Sequence, residues 1–121
     1  MPAYNFKGQF AELVEQGVKP HTIRPRRKRP TRVGETLYLY TGMRTTQCRQ
    51  LLVATCTRIL PIEIRTKKEW LTVRLDGQLL SQAEIGALAR RDGFESAEEF
   101  SVFFLNTYGP EFKGELIEWK T

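Results

Sequence analysis

Three residues whose side chains could do chemistry together lie close to one another in the chain: Lys19, Thr22 and Arg24. A threonine hydroxyl is a weak nucleophile that needs a base, and a lysine is a base only when its amine is neutral. The pKa of Lys19 would have to fall from about 10.4 towards 7 or 8, which a neighbouring arginine and partial burial both favour. We predict that Lys19 and Thr22 are catalytic if Pro20 kinks the chain, because residues three apart in a regular strand point to opposite faces.

A dense basic stretch overlaps this motif and carries no acidic residue. Its seven cations are Lys19, Arg24, Arg26, Arg27, Lys28, Arg29 and Arg32. The chain has 19 basic and 14 acidic residues, so removing these seven leaves 12 basic against 14 acidic residues and a net charge of −2. The positive excess is therefore local, which is typical of a surface that binds phosphate.

Arginine dominates this stretch, with five of the seven cations. Its planar fork suits bidentate contacts with phosphate and stacking on bases. We therefore predict nucleic-acid binding by Arg24, Arg26, Arg27, Lys28, Arg29 and Arg32, and by Arg44 from the turn 41–46 if it reaches the same cleft. The plain alternatives are a solvated run of charge and an ordinary hairpin turn.

His21 lies inside the motif and invites a role as general base. A lone histidine is more often a hydrogen-bonded structural residue or a surface group, so we assign it to structure. Tyr38 and Tyr40 share one face of a predicted strand, where they either pack in the core or stack an unpaired base. Trp70 and Trp119 are assigned to packing.

Composition excludes several classes of protein. Two cysteines, one histidine and no Cys-x-x-Cys pair give no recognised metal-ligand spacing, so we expect neither a metal nor another cofactor. The 121 residues fit one domain, 1–121, of ordinary globular composition. No stretch approaches the roughly 20 apolar residues of a membrane span, and the start lacks the apolar block of a secretory signal. We expect a cytoplasmic protein without membrane contacts.

Apolar spacing, prolines and turn residues predict the elements around the motif. They are a helix over 6–16, an extended segment 19–24, an exposed loop 25–33, strands over 36–41 and 47–64, a hairpin of 70–75 and 78–80, and a final strand over 112–119. The strand 47–64 is too long to be straight, so a bend or bulge is expected near Leu60 and Pro61.

Two further helices are predicted from their capping signals. Ser81 with Glu84, and Ser96 with Glu99, have the spacing of capping boxes, and each is followed by apolar residues at helical spacing. Gly109 is expected to end the second of them. Strands do not alternate with helices in this order, which favours an α+β fold: a small mixed β-barrel with helices packed over it.

The motif Gly-x-Lys-x-x-Thr-x-Arg, from Gly17 to Arg24, resembles the ASCH domain, a relative of the PUA RNA-binding fold. Val33, Gly34 and Glu35 before an apolar strand, the turn 92–94 and the final strand ending at Trp119 also resemble that family, so the likeness spans nearly the whole chain. The resemblance implies a PUA-like barrel whose cleft contains the lysine, threonine and arginine and handles RNA or a modified nucleoside.

Some proteins of this kind remove the acyl group from N(4)-acylcytidine with a threonine, a lysine and a late acidic residue. Thr22 and Lys19 match the first two, and the acid falls at or near Asp92, an aspartate where a glutamate is expected, with Glu95 as the substitute. Three functions stay open: a reader of RNA or a modified nucleoside, an amidohydrolase acting on acylated cytidine, and, less favoured, a ribonuclease. A protein-interaction module with an acidic partner is the plain alternative.

Overall fold

Seven strands and three helices make up the part of the chain that the structure describes, residues 2–67 and 70–121 of a computed structural model. In chain order they are β1 Ala3–Phe6, α1 Gly8–Glu15, β2 His21–Arg24, β3 Thr36–Thr41, β4 Arg49–Lys67, β5 Trp70–Leu75, β6 Gln78–Leu79, α2 Gln82–Arg91, α3 Ala97–Tyr108 and β7 Glu111–Lys120. This arrangement confirms the α+β class.

Strand β4 is the centre of a single sheet because three strands pair with it. It runs antiparallel to β3 at its start, to β7 over residues 55–65 and to β5 at its end. Strand β7 also pairs with β2, and β3 pairs in parallel with β1. The pairings among the described strands do not close the sheet, so the predicted barrel is not confirmed.

Arginine side chains, rather than a strand, occupy the second edge of β1. The first edge of β1 faces β3, where the carbonyl of Pro2 accepts from the backbone N–H of Tyr38. On the other edge, the carbonyls of Ala3 and Asn5 accept from the guanidinium groups of Arg27 and Arg24 respectively. The basic segment after β2 is therefore fastened to β1, although no ladder joins the two strands.

The same segment has a second attachment to β1. Thr31 is buried, and its hydroxyl lies 2.6 Å from the hydroxyl of Tyr4 in a hydrogen bond. The guanidinium of Arg27 lies 5.1 Å from the centre of the Tyr4 ring. The loop predicted over 25–33 is confirmed, but it is not wholly exposed, because Arg27 and Thr31 hold it against β1.

The helix signals are largely confirmed. Ser81 and Glu84 form the complete capping box at the start of α2, whereas Ser96 only accepts from the backbone N–H of Glu99. Gly109 follows the end of α3 as predicted. Helix α1 begins at Gly8 rather than at residue 6, because β1 takes up the residues before it.

The long strand bends in a different place from the one predicted. Its pairing with β7 shifts register between Cys56 and Arg58, not at Pro61. The carbonyl of Pro61 accepts from the backbone N–H of Asp76, which places Pro61 just outside the β4–β5 pairing that starts at Ile62. The proline nitrogen lies on the same side as this carbonyl, where no strand partner needs an N–H from it. A missing N–H costs nothing at such a position.

The assignment of Trp70 to packing is wrong, because this side chain is 74% exposed. Tyr38 and Tyr40, for which core packing and base stacking were both open, are half-buried on the face opposite the core residues Leu37 and Leu39. Trp119 is buried as predicted. Strand alternation put the tyrosines correctly on one face but did not say which face the core covers.

Gly93 is a position where the fold requires glycine. Its φ is +98°, and a Cβ built on it would lie 2.8 Å from Cδ1 of Phe10. Gly93→Ala should therefore lower the free energy of unfolding by about 1–3 kcal/mol through backbone strain and overpacking together. Urea denaturation measures the change.

The matched control is Gly17→Ala, because Gly17 also has a positive φ of +75° but open space around the added Cβ. It should cost strain alone, about 1 kcal/mol. Equal losses in the two variants would contradict the packing of the turn after α2 against α1.

Candidate functional site

A buried ion pair joins Lys19 to Asp92. The Lys19 ammonium donates to Oδ1 of Asp92 at 2.6 Å and to the Asp92 backbone carbonyl at 2.7 Å. Each side chain is 4% exposed. The acid predicted beside Lys19 is therefore in direct contact with it, whereas Glu95 is exposed and lies outside the cleft that Lys19 lines.

The ends of two helices place this pair. Gly17, with a positive φ, ends the turn after α1, and the backbone N–H of Lys19 then donates to the carbonyl of Leu13. Asp92 follows the last residue of α2, and Gly93 after it takes a positive φ so that Phe94 can bond back to Ala89. Both side chains are thus fixed by a local helix-ending geometry.

Burial dominates the electrostatics of Lys19 and lowers its pKa below the ordinary 10.5. The Asp92 carboxylate opposes this shift by attraction and by its hydrogen bond, and the Arg24 guanidinium adds to it by repulsion. The expected direction of the shift is confirmed, with desolvation as the main cause and Arg24 as a minor one.

Thr22 is buried beside the pair but bonds to a different cation. Its Oγ1 accepts from Nε of Arg24 at 3.0 Å. Among the hydrogen bonds of the described residues, none joins Lys19 to Thr22. The two residues line one cleft as expected, but the Lys19–Thr22 contact needed for base catalysis is not made in this state.

Arg24 crosses the cleft between aromatic rings. Its guanidinium lies 5.0 Å from the centre of the Phe6 ring and 5.5 Å from that of Tyr4. Burial lowers the pKa of the Arg24 guanidinium below its ordinary value. Among the described residues, no carboxylate lies within 4 Å of it, so its charge has no direct counter-ion there.

The cleft that contains these groups has a volume of about 190 Å³. This is smaller than the roughly 300–1,000 Å³ of pockets that enclose drug-sized ligands, so the cleft can enclose a single base or an anionic group, with the rest of a nucleoside or nucleotide lying outside it. Its aromatic wall consists of Phe6, Phe10, Phe94, Phe103, Phe104 and Tyr108.

The polar side of the cleft carries mainly hydrogen-bond donors. Lys19 has three N–H donors and gives two to Asp92, and Arg24 has five and gives two to protein oxygens. The charged residues that line the cleft, Lys7, Lys19, Arg24 and Asp92, together carry a net charge of +2. The cleft therefore suits a ligand rich in acceptors, such as carbonyl or phosphate oxygens.

The remaining predicted cations are not part of the cleft. Arg26, Lys28, Arg29 and Arg32 are exposed on the segment that follows β2, and none of them lines the cleft. Arg44 is also exposed, in a turn where its own φ is +67°, and does not line it. These five side chains are therefore exposed on the surface. The other predicted cation of this segment, Arg27, is also exposed but donates a hydrogen bond to β1.

One contributor to the site was missed from the sequence. Asn5 in β1 lines the cleft, and its carbonyl accepts from Arg24. His21, which was assigned to structure, is wholly buried and does not line the cleft, but its Nε2 lies 3.2 Å from Oδ1 of Asp92. The alternation of polar and apolar residues over 3–6 was the one signal for β1.

Metal and membrane features were searched within residues 2–67 and 70–121. No group of three or more His, Cys, Asp or Glu side chains in this part of the chain could hold a metal ion. Cys48 and Cys56 are both free thiols. None of the described helices is long and apolar enough to cross a membrane.

Comparison of the chain with protein-family models, with curated proteins and with solved structures finds no match in any of the three. A function for this protein is therefore proposed from the geometry of the cleft alone.

Asp92→Asn tests the buried pair. Removing one partner of a buried ion pair leaves the other charge uncompensated, so the variant should lose about 3 kcal/mol of unfolding free energy at neutral pH. The loss should shrink in alkaline solution. Without the Asp92 charge the folded-state pKa of Lys19 falls further, while the unfolded lysine stays protonated up to 10.5.

The sign follows from proton binding. Above the lowered pKa of Lys19 and below 10.5, the unfolded state binds more protons than the folded state, so stability rises with pH. Urea midpoints of Asp92→Asn, measured across this alkaline range, test whether its stability rises with pH. The control, Lys19→Met combined with Asp92→Asn, should show no such recovery. An equal recovery in the control would exclude Lys19 as its cause.

Proposed function

We propose that the chain is a nucleic-acid-binding domain of the ASCH type, whose cleft accepts one unpaired base or modified nucleoside while the basic segment holds the adjoining phosphates. The observation that carries the proposal is the continuity of cations from the half-buried Arg24, which lines the cleft, to the exposed Arg26, Lys28 and Arg29. A surface of this kind attracts a polyanion through counter-ion release.

The aromatic wall supports a base as the occupant. Single-strand readers stack unpaired bases on aromatic side chains, and each base contributes about 1–3 kcal/mol. The cleft has about the volume of one ring and offers donors on its polar side. Carbonyl and ring acceptors of a base would meet the free donors of Lys19 and Arg24, which supports recognition of a base rather than of the backbone alone.

The finer fold proposed with this function is a PUA-like barrel. Strands β1 and β2 end the open sheet on the side of the cleft, and the guanidinium of Arg24 bridges them from β2 to the carbonyl of Asn5. A cation that joins two strand edges and also lines the cleft couples the shape of the sheet to the site. This supports a nearly closed barrel with the cleft at its seam.

Binding should depend on the exposed cations. The triple variant Arg26→Ser, Lys28→Ser, Arg29→Ser removes charges that make no contact with β1, so it should weaken binding of a short single-stranded RNA without unfolding the protein. The slope of log affinity against log salt should flatten by about 0.7 for each lost phosphate contact. Fluorescence anisotropy at several salt concentrations measures both quantities.

A control of equal charge is Arg65→Ser, Lys67→Ser, Arg74→Ser, since these exposed cations lie on the β4–β5 pair and outside the cleft. It should leave the salt slope nearly unchanged. If the two triple variants weaken RNA binding equally, the binding depends on the net charge of the protein and not on the proposed surface. If the variant at 26, 28 and 29 does not weaken binding, the proposed surface is rejected.

The second candidate function is hydrolysis of the acyl group from N(4)-acylcytidine. The contact of Asp92 with Lys19, in the cleft that Thr22 lines, is the observation that favours it. Thr22 would attack the acyl carbon, the C–N bond would break, and the exocyclic amine would leave with a proton. Water would then release the acid from the threonyl ester. The donation from Arg24 to Oγ1 of Thr22 would stabilise a developing alkoxide.

If this activity exists, Thr22→Val and Asp92→Asn should each remove most of it, by two orders of magnitude or more in kcat. RNA affinity should change little in Asp92→Asn, because the surface cations remain. Release of free cytidine from N(4)-acetylcytidine, followed by chromatography, gives the rates. Full turnover by Asp92→Asn would remove this carboxylate from the mechanism. Cleavage of a short RNA incubated with the protein in parallel would instead indicate a ribonuclease.

A further inference from the structure

His21 has an unexplained position in the fold. It is 0% exposed, and neither nitrogen of its ring has a hydrogen-bond partner among the described residues. A buried polar group without a partner loses its hydration and gains nothing in return, so such groups are rare in native proteins. An apolar side chain would avoid this cost, which suggests that the imidazole has a partner in another state.

The neighbouring group that fits this role is Asp92. Nε2 of His21 lies 3.2 Å from Oδ1 of Asp92, but the ring N–H is not directed at that oxygen well enough to form a hydrogen bond. The same Oδ1 accepts from Lys19 at 2.6 Å. One carboxylate oxygen therefore has a bonded donor and a second donor held within reach.

A second donor to Asp92 becomes important when Lys19 interacts with a ligand in the cleft. A ligand that takes a hydrogen bond from Lys19, or a proton transfer that neutralises it, weakens the buried pair and leaves the Asp92 carboxylate uncompensated. Such a loss is strongly unfavourable for a buried charge. Arg24 is the other cation that acts on this carboxylate, and its nearest bonds go to Thr22 and Asn5. Without a replacement donor, Lys19 would stay bound to Asp92.

We propose that His21 is a positioning residue that replaces Lys19 as the donor to Asp92 when Lys19 turns to a ligand in the cleft. A rotation of the imidazole aims its N–H at Oδ1, keeps the carboxylate hydrogen-bonded and frees the ammonium to approach Thr22. The use made of the released lysine depends on the proposed function, but the exchange of donors is a property of the protein alone.

His21 is the only histidine in the chain, so its imidazole gives a single set of nitrogen signals in NMR. The first experiment compares the wild type with Lys19→Met by long-range ¹H–¹⁵N correlation. We expect no hydrogen-bonded imidazole N–H in the wild type. Lys19→Met should show one, with a downfield and slowly exchanging proton.

The signal should disappear again in the double variant Lys19→Met, Asp92→Asn, because the acceptor charge is then gone. An imidazole spectrum that is the same in the wild type and in Lys19→Met would overturn the proposal, as would a new signal that persists in the double variant. If Lys19→Met does not fold, Lys19→Gln takes its place with the same expected change.

The second experiment uses N(4)-acetylcytidine and cytidine 5′-monophosphate as probes of the wild type. Saturation with a probe that binds the cleft should produce the same His21 signal. His21→Gln, which keeps an N–H donor, should retain affinity, whereas His21→Leu should bind about tenfold more weakly. Binding of equal strength in His21→Leu would overturn the proposal. If neither probe binds, the proposed function fails and the comparison with Lys19→Met still decides the role of His21.

Discussion

The buried pair of Lys19 and Asp92 is the constraint on which the rest of the site depends. A charged side chain that is only 4% exposed requires a partner, and Lys19 and Asp92 each supply the partner of the other. The pair joins the chain after α1 to the end of α2, elements 73 residues apart in sequence. Because it is fixed at both ends by helix terminations, it sets the floor of the cleft before any ligand is present.

Buried ion pairs contribute little net stability compared with apolar packing, so stability alone does not account for this one. In this protein the pair lines the same cleft as Thr22 and an aromatic wall, and within residues 2–67 and 70–121 no carboxylate forms an ion pair with Arg24. A net positive cleft with unused donors is chemically suited to oxygen acceptors. The lowered pKa of Lys19 adds a second property, since such a lysine loses its proton more readily than one in water.

The cations of the basic segment fall into two groups, those that contact β1 and those that face solvent. Arg24 and Arg27 satisfy the carbonyls on the free edge of β1 and rest on the rings of Phe6 and Tyr4. An exposed strand edge is otherwise a site for unwanted pairing, and covering it with guanidinium groups avoids that. The exposed Arg26, Lys28, Arg29 and Arg32 make no side-chain hydrogen bond to β1 among the described residues, and they are the cations that we propose meet phosphates. Charge counting treats all seven cations alike, and only the contacts separate those that hold the sheet together from those that face solvent.

Much of this arrangement could be predicted from the sequence where the signal is local. Ser81 with Glu84 located α2, and Asp76-Gly77 located the β5–β6 hairpin, because capping and turn geometry depend on a few adjacent residues. The nearness of Asp92 to Lys19 was expected only from the family resemblance. No periodicity relates residues so far apart.

The failures have physical causes as well. Strand β1 is four residues long and pairs in parallel with β3. A parallel pair has no hairpin turn between its strands, so the sequence carries no turn signal that would predict β1. The burial of His21 depends on β2 being covered on both faces, which a four-residue strand pattern cannot show. The exposure of Trp70 depends on where the sheet ends, a tertiary fact. The donor exchange proposed for His21 likewise rests on a geometry that only the folded chain reveals.

The most direct test of the account is to map where a ligand binds. Titrating the ¹⁵N-labelled protein with a short single-stranded RNA, and following every backbone amide, would locate the contact surface. The account predicts the largest shifts at 19–24 and 92–94, together with smaller, salt-sensitive shifts along 26–32. Shifts confined to 26–32, or centred on the exposed surface around Trp70, would contradict the claim that the Lys19–Asp92 cleft receives the ligand.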